Sequence, residues 1–311
     1  MKLKNLKRLS VNVLALVGLL AGCAESSSNN TNQNQNTASA QSSSTLVDKA
    51  ENAMHHSSSG AGSNSNLSRQ DATPYPSQTR SDQAIAPIRN QFKSLQFNGA
   101  GAYIVNNNQS TLGAVKPNGR PWAQNMTDNN GRAVQGNAYL TRQARQYRDR
   151  SQTGNGASSW KPAGYRQQTN LPGQYRFAYN RGHLLGYALV GNIRGFDASE
   201  SNQQNIATQT MWANQAQTAD NTGQNYYEGL VRKALDQNKF VRYQVKDLYV
   251  GSELVPRATQ IQAKSSDGTL NFNVLVPNTQ NNMTIDYATG NVTPCAGGSN
   301  APRTSSYRSH F

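Results

Sequence analysis

The chain has 311 residues and carries a formal charge of +14, with 30 Lys and Arg against 16 Asp and Glu. A chain this basic is drawn to polyanions: nucleic acid, wall polymers or an anionic membrane surface. It has two cysteines and four histidines, which excludes a Cys-rich zinc site and makes a several-histidine zinc hydrolase improbable.

Lys2, Lys4, Lys7 and Arg8 form a basic flank, and Val11 to Leu20 is a short apolar run. The run is too short for a confident membrane span and has the form of an export signal. It ends in Leu20-Ala21-Gly22-Cys23, which resembles a lipobox. That resemblance implies cleavage before Cys23, a lipid on its thiol, and an address on the extracellular face of the cell membrane. Residues 1–23 are therefore read as a lipoprotein signal. Cleavage removes four basic residues and leaves a charge of about +10. With Cys23 lipidated, Cys295 has no intrachain partner and is read as a small buried or loop residue.

Residues 24–80 are rich in Ser, Asn, Gln and Thr and poor in large apolar side chains. Such a segment cannot offset its ordering entropy and is read as a disordered tether. His55 and His56 lie within it. The folded domain is expected over 81–311, long enough for one sizeable core.

Within that domain Ala84, Ile85, Ile88, Phe92 and Leu95 recur at helical spacing, with Ser81 and Asp82 suited to the helix start. Ala102 to Val105 reads as a strand, and Asn118-Gly119 and Asn130-Gly131 as turns. Ala138 to Tyr147 reads as a helix, on which Arg142, Arg145 and Arg148 would share a face able to track a phosphate backbone. Asn225 to Leu235 is the clearest helix, with Tyr227, Leu230, Val231 and Leu235 toward a core. Phe240 to Val250, Thr259 to Ala263, Leu270 to Val276 and Met283 to Tyr287 read as strands, with Gly251, Gly268 and Gly290 near the breaks. The expected class is α+β: a central antiparallel sheet with packed helices.

The chemistry narrows by elimination. There is no Walker loop, no dinucleotide fingerprint, no Gly-x-Ser-x-Gly elbow and no His-Glu-x-x-His stretch. His55 and His56 sit in the tether and His310 is penultimate, so His183 is the outstanding candidate for a neutral-pH base. It closes the polar cluster Asn180-Arg181-Gly182-His183, followed by an apolar stretch from Leu184 to Val190 that can anchor it.

The segment Tyr179-Asn180-Arg181-Gly182-His183-Leu184-Leu185-Gly186-Tyr187-Ala188-Leu189-Val190-Gly191 resembles the core motif of the DNA-entry nucleases and streptococcal-type extracellular DNases. These are DNA/RNA non-specific endonucleases with a ββα-metal active-site motif. The resemblance continues through Asn205-Ile206-Ala207-Thr208-Gln209-Thr210, Ala213-Asn214-Gln215 and Tyr226-Tyr227-Glu228. Upstream it includes Thr153-Gly154-Asn155-Gly156 and Ser159 to Tyr165. It spans most of residues 100–290.

The resemblance implies roles residue by residue. His183 matches the general base and Asn214 the ligand of one Mg²⁺, with Mn²⁺ as a substitute. Glu228 resembles the acid that holds the metal through its waters, and Asn205 a second active-site Asn that orients His183 or the metal's waters. Arg232, one turn beyond Glu228, is expected to stabilise the phosphate in the transition state, although an i,i+4 pair is also an ordinary surface salt bridge. Arg181 is expected on the phosphate, or else on a structural carboxylate. Gln209 is either a supporting residue or plain surface. Trp212 is a stacking platform or core. Asn180 stands where much of the wider superfamily has Asp, and so brings no charge.

The implied partners are DNA or RNA as substrate and the membrane through the lipid, with no small-molecule cofactor. The competing reading is a surface lipoprotein that binds DNA or anionic wall polymer without cutting it. Against it stands the joint presence of His183, Asn214 and Glu228, which binding alone does not require. A two-lobed solute-binding protein would show an alternating α/β pattern, which is not apparent.

Overall fold

In the computed structural model the described residues are 73–156 and 158–295. Residues 1–23 with Cys23, the histidines His55, His56 and His310, and most of the expected tether lie outside them. The described residues begin at Thr73. The Asn281 amide donates to the carbonyls of Thr73 and Tyr75 at 3.0 and 2.7 Å and ties this segment to the body.

Helix α1 spans Gln78–Ile85, with the Ser77 hydroxyl accepting from the Arg80 N–H. The expected start at Ser81 is thus too late, and the expected continuation to Leu95 fails. Pro87 cannot donate into a helical ladder, so the chain tightens into a 3₁₀ segment over Ala86–Gln91. Leu95 instead opens strand β1, Leu95–Phe97.

β1 pairs with β2 (Tyr103–Val105) at one edge of a seven-stranded antiparallel sheet. The remaining strands are β3 (Trp122–Thr127), β4 (Ala133–Leu140), β7 (Val241–Leu248), β8 (Ala258–Ser265) and β9 (Asn271–Pro277), in the order β1-β2-β9-β8-β7-β4-β3. The late strands fall where their β-branched and aromatic runs predict. β7 alternates strictly, with Val241, Tyr243, Val245 and Asp247 buried and Arg242, Gln244, Lys246 and Leu248 partly exposed. That period of two is the signature of a sheet with one face on a core.

The expected helix over Ala138 to Tyr147 is replaced by the end of β4 and a 3₁₀ turn at Arg142–Ala144. Ala138 pairs with Ala123 on one side and Tyr243 on the other. Two ladders of backbone hydrogen bonds override the weak helical preference of the segment. The basic face imagined on that helix is lost with it. Arg145 is buried over the Tyr147 ring at 4.8 Å, Arg150 lies over the Tyr187 ring at 4.5 Å, and Arg142 and Arg148 are exposed.

Between β4 and β7 the chain builds a separate two-stranded unit, β5 (Tyr179–His183) paired with β6 (Ile206–Thr210). A short helix α2 (Tyr187–Val190) lies between them, and α3 (Met211–Gln215) follows β6 at once. The 13-residue helix α4, Gln224–Asp236, matches the clearest sequence expectation within a residue at each end. Tyr227, Val231, Ala234 and Leu235 of α4 join Leu184, Leu185, Leu189, Val190 and Trp212 against Tyr243, Val245, Ile261, Phe272 and Val274 of the sheet. The core thus lies between the sheet and the layer that carries the motif residues. The strands β10 (Met283–Ile285) and β11 (Val292–Pro294) close the described fold. Cys295 is free and half-buried, its sulfur accepting from Arg80 at 3.2 Å.

Candidate active site

The elements β5, β6 and α3 form a ββα unit, and each contributes a motif residue. Asn180 pairs with Gln209 and His183 with Ile206 across the ladder. Asn214 sits on α3, whose start is capped by the Thr210 hydroxyl accepting from the Ala213 N–H at 3.2 Å. Asn278 accepts from the Thr210 N–H and Gln280 from the Trp212 N–H, at 2.7 and 3.0 Å. The free donors of the first turn are thus satisfied by the cap, by the loop after β9 and by the Ala178 carbonyl, which accepts from the Met211 N–H at 3.2 Å.

His183 and Glu228 meet directly. The His183 Nε2 lies 2.8 Å from Glu228 Oε1. The carboxylate is 4% exposed and the imidazole 22%, so the pair has a buried end and an open end. Burial alone would push the Glu228 carboxyl up. The charge and hydrogen bond of His183, then Arg232 and the Gln224 amide, outweigh burial and hold it below its usual range. Glu228 is therefore ionised at neutral pH and only accepts, so the proton between the two belongs to Nε2. When the ring is neutral, the other nitrogen is the acceptor.

Two glycines make this approach possible. A Cβ on Gly186 would lie 2.7 Å from Glu228 Oε2, and one on Gly182 would lie 2.4 Å from the Gln209 Cβ. Both distances are closer than a real Cβ tolerates, so the motif needs Gly at each.

The other expected site residues divide. Asn214 is half-buried, its Nδ2 donating to Gln209 Oε1 at 2.9 Å and its Oδ1 accepting from Asn180 Nδ2 at 3.1 Å. Asn205 does not bond the His183 ring. It is buried, and its amide grips the backbone of Leu185 on both sides, accepting from the N–H at 2.9 Å and donating to the carbonyl at 3.0 Å. It holds the turn after His183, so any influence on the ring passes through the backbone. Among the described residues Arg181 forms no salt bridge to a carboxylate. Its Nε donates to the Trp160 carbonyl at 2.7 Å and its guanidinium stands 5.8 Å from the Tyr165 ring centroid. The upstream motif thus brackets β5, and the Ala163 carbonyl accepts from Thr208 of β6 at 2.7 Å.

Arg232 reaches Glu228 Oε2 at 3.5 Å and donates to the Asn225 side chain at 2.8 Å. Trp212 is fully buried and donates to Asn221 at 2.7 Å, so it is core and not a stacking platform. Gln209 is buried rather than surface. Gln224 was missed by sequence reading. It donates to Glu228 Oε1 at 3.0 Å and to the His183 carbonyl at 2.7 Å. The available signal was its position one helical turn before Glu228.

The donor set decides what cation would suit. Among the described residues no group of three or more His, Cys, Asp or Glu converges. A single amide oxygen at Asn214, joined to one carboxylate only through Gln209 and Gln224, does not fit a soft or tightly caged metal. It fits a hard cation that takes oxygen ligands and keeps most of its waters, as Mg²⁺ does.

The family model for DNA/RNA non-specific endonucleases matches residues 117–295. NucA from Streptococcus agalactiae, solved with magnesium ion bound, is 44% identical, with a TM-score of 0.66 over 70% of this chain and 100% of that chain. The same protein solved with no metal bound gives a TM-score of 0.62 over 69% of this chain and 95% of that chain.

Proposed function

Since this chain belongs to the DNA/RNA non-specific endonucleases, and is thus a nucleic-acid phosphodiester hydrolase, we propose that it is an extracellular, Mg²⁺-dependent enzyme cutting DNA, and RNA where it meets it, without regard to sequence. The observation that carries the mechanism is the His183–Glu228 pair, 2.8 Å apart and open only on the imidazole side. Glu228 fixes the proton on Nε2 and stabilises the positive charge that develops when the ring accepts another. The free ring nitrogen of His183 takes the proton of the attacking water.

Asn214 would hold Mg²⁺ through Oδ1. The bound ion supplies charge stabilisation at the phosphoryl and leaving oxygens. Arg181 keeps its position through Nε and the Trp160 carbonyl, which leaves the two terminal nitrogens of its fork for phosphate oxygens. Arg232 sits beside Glu228 and supplies a second positive charge there. Contacts of this kind carry affinity and little base information, which supports indifference to sequence.

The proposed location, lipid-anchored outside the cell membrane, rests on the basic flank, the apolar run and Cys23. Among the described residues no helix is long and apolar enough to cross a membrane.

The test is direct. The purified protein is incubated with plasmid, linear duplex, single-stranded DNA and RNA, in Mg²⁺ and in EDTA, beside His183→Ala. Cleavage of DNA is expected in Mg²⁺ alone, falling by about 10²–10⁴-fold in His183→Ala. Intact substrates in Mg²⁺ would overturn the enzyme. Cleavage surviving both EDTA and His183→Ala would overturn the mechanism and leave another hydrolytic chemistry.

A further inference from the structure

The polar side chains between Asn180 and His183 form one unbroken file. Asn180 Nδ2 donates to Asn214 Oδ1 at 3.1 Å, and Asn214 Nδ2 donates to Gln209 Oε1 at 2.9 Å. Gln209 Nε2 donates to Gln224 Oε1 at 3.0 Å, and Gln224 Nε2 donates to Glu228 Oε1 at 3.0 Å and to the His183 carbonyl at 2.7 Å. Gln209, Gln224 and Glu228 are 3%, 1% and 3% exposed, so water cannot substitute for a broken link.

An amide side chain has two ends of nearly equal size and opposite polarity. Turning it over exchanges donor for acceptor and barely alters packing. Four amides in a row could therefore point either way, and nothing in their shapes decides which. The end of the file decides. The Glu228 carboxylate and the His183 carbonyl only accept, so Gln224 must present its NH₂ to both. Its oxygen then faces Gln209, which must donate to it and accept on its other side. Asn214 must in turn donate to Gln209, and its oxygen is left on the side away from Gln209, where Asn180 donates to it. A reversed Asn214 would set its oxygen against the Gln209 oxygen, two buried acceptors with no hydrogen between them.

We propose that Glu228, acting through Gln224 and Gln209, sets the orientation of the Asn214 amide so that its oxygen, and not its NH₂, faces the cation. Gln224 and Gln209 are positioning residues in this arrangement, and the base pair and the cation ligand are oriented by one carboxylate. Asn180 adds to it by donating to the same Asn214 oxygen, which has a second lone pair for the ion. The inference rests on the reading of Asn214 as the cation ligand.

The test exploits the symmetry of Asp. A carboxylate shows an oxygen whichever way it is turned, so Asn214→Asp has no orientation to lose. Binding of Mg²⁺ alone, with no nucleic acid present, is measured by calorimetry in a four-way set. The set is wild type, Gln224→Leu, Asn214→Asp and the double variant, with unfolding followed in each. Gln224→Leu is expected to weaken Mg²⁺ binding by about 10-fold or more in the Asn214 background. In the Asn214→Asp background the same change is expected to cost less than about threefold. Equal losses in both backgrounds, or no loss in the first, would overturn the file as an orienting device. Gln209→Leu is expected to repeat the pattern. Asn214→Ala separates this failure from failure of the site itself: if it binds Mg²⁺ as tightly as wild type, Asn214 is not the ligand and both readings fall.

Discussion

Glu228 and Asp247 are buried carboxylates of opposite fate. Glu228 is held low by His183, Arg232 and Gln224 in spite of burial, because its partners all favour the charged form. Asp247 has the Thr259 hydroxyl at 2.7 Å, and burial pushes its carboxyl up to about 7, with that bond and the His183 charge pulling only partly against it. The consequences follow by linkage. A carboxyl raised in the fold binds more protons than it does unfolded, so it lowers stability as pH rises from its unfolded value, about 4, through about 7. Asp247→Asn is therefore expected to raise the melting temperature at pH 8, with the gain shrinking below pH 7 and vanishing near pH 4. Thermal unfolding at a series of pH values checks this; a gain independent of pH would contradict it. Glu228→Gln keeps the shape and removes the charge that steadies a protonated His183. Its kcat on plasmid DNA is expected to fall by about 10²–10⁴-fold, and a loss under threefold would remove Glu228 from the chemistry.

At the scale of elements, the site is built where β5, β6, α3 and α4 abut, and the spacing between them is set by missing side chains. Gly186→Ala would place a methyl against Glu228 Oε2. Overpacking of this kind costs about 1–3 kcal/mol. The variant is expected to melt lower by several degrees and to lose activity, since Glu228 must move away from His183. Full activity with unchanged melting would show that the loop yields freely. Asn205 belongs to the same logic. Its side chain completes the turn from Leu184 to Gly186 and so aims His183 without touching the ring.

For the molecule as a whole, the governing quantity is charge. The formal +14 of the full chain, or about +10 without residues 1–23, faces a phosphate polymer on which each neutralised phosphate releases counterions. Cleavage of DNA below saturation is expected to fall by at least about 10-fold between about 50 and 200 mM salt, given three or more phosphate contacts. Initial rates at low substrate concentration measure it. A flat salt response would mean that Arg181 and Arg232 are not on phosphate.

The sequence by itself determined the family and most of the described helices and strands. One histidine among the described residues, ordered motifs around it and runs of β-branched and aromatic residues near the C-terminal end pointed to the family, to α4 and to β7 through β10, because those signals are local. What lay beyond local pattern was decided by the tertiary structure. Ala138 to Leu140 became strand because β3 and β7 pair with it on both sides. Trp212 went to the core and Asn205 to the Leu185 backbone, since long-range packing determines which partner a side chain reaches. Gln224 entered the site only when α4 closed on β5 and β6. A buried amide acquires its role from the donors and acceptors around it, and those come from residues 41 and 15 positions away in the chain.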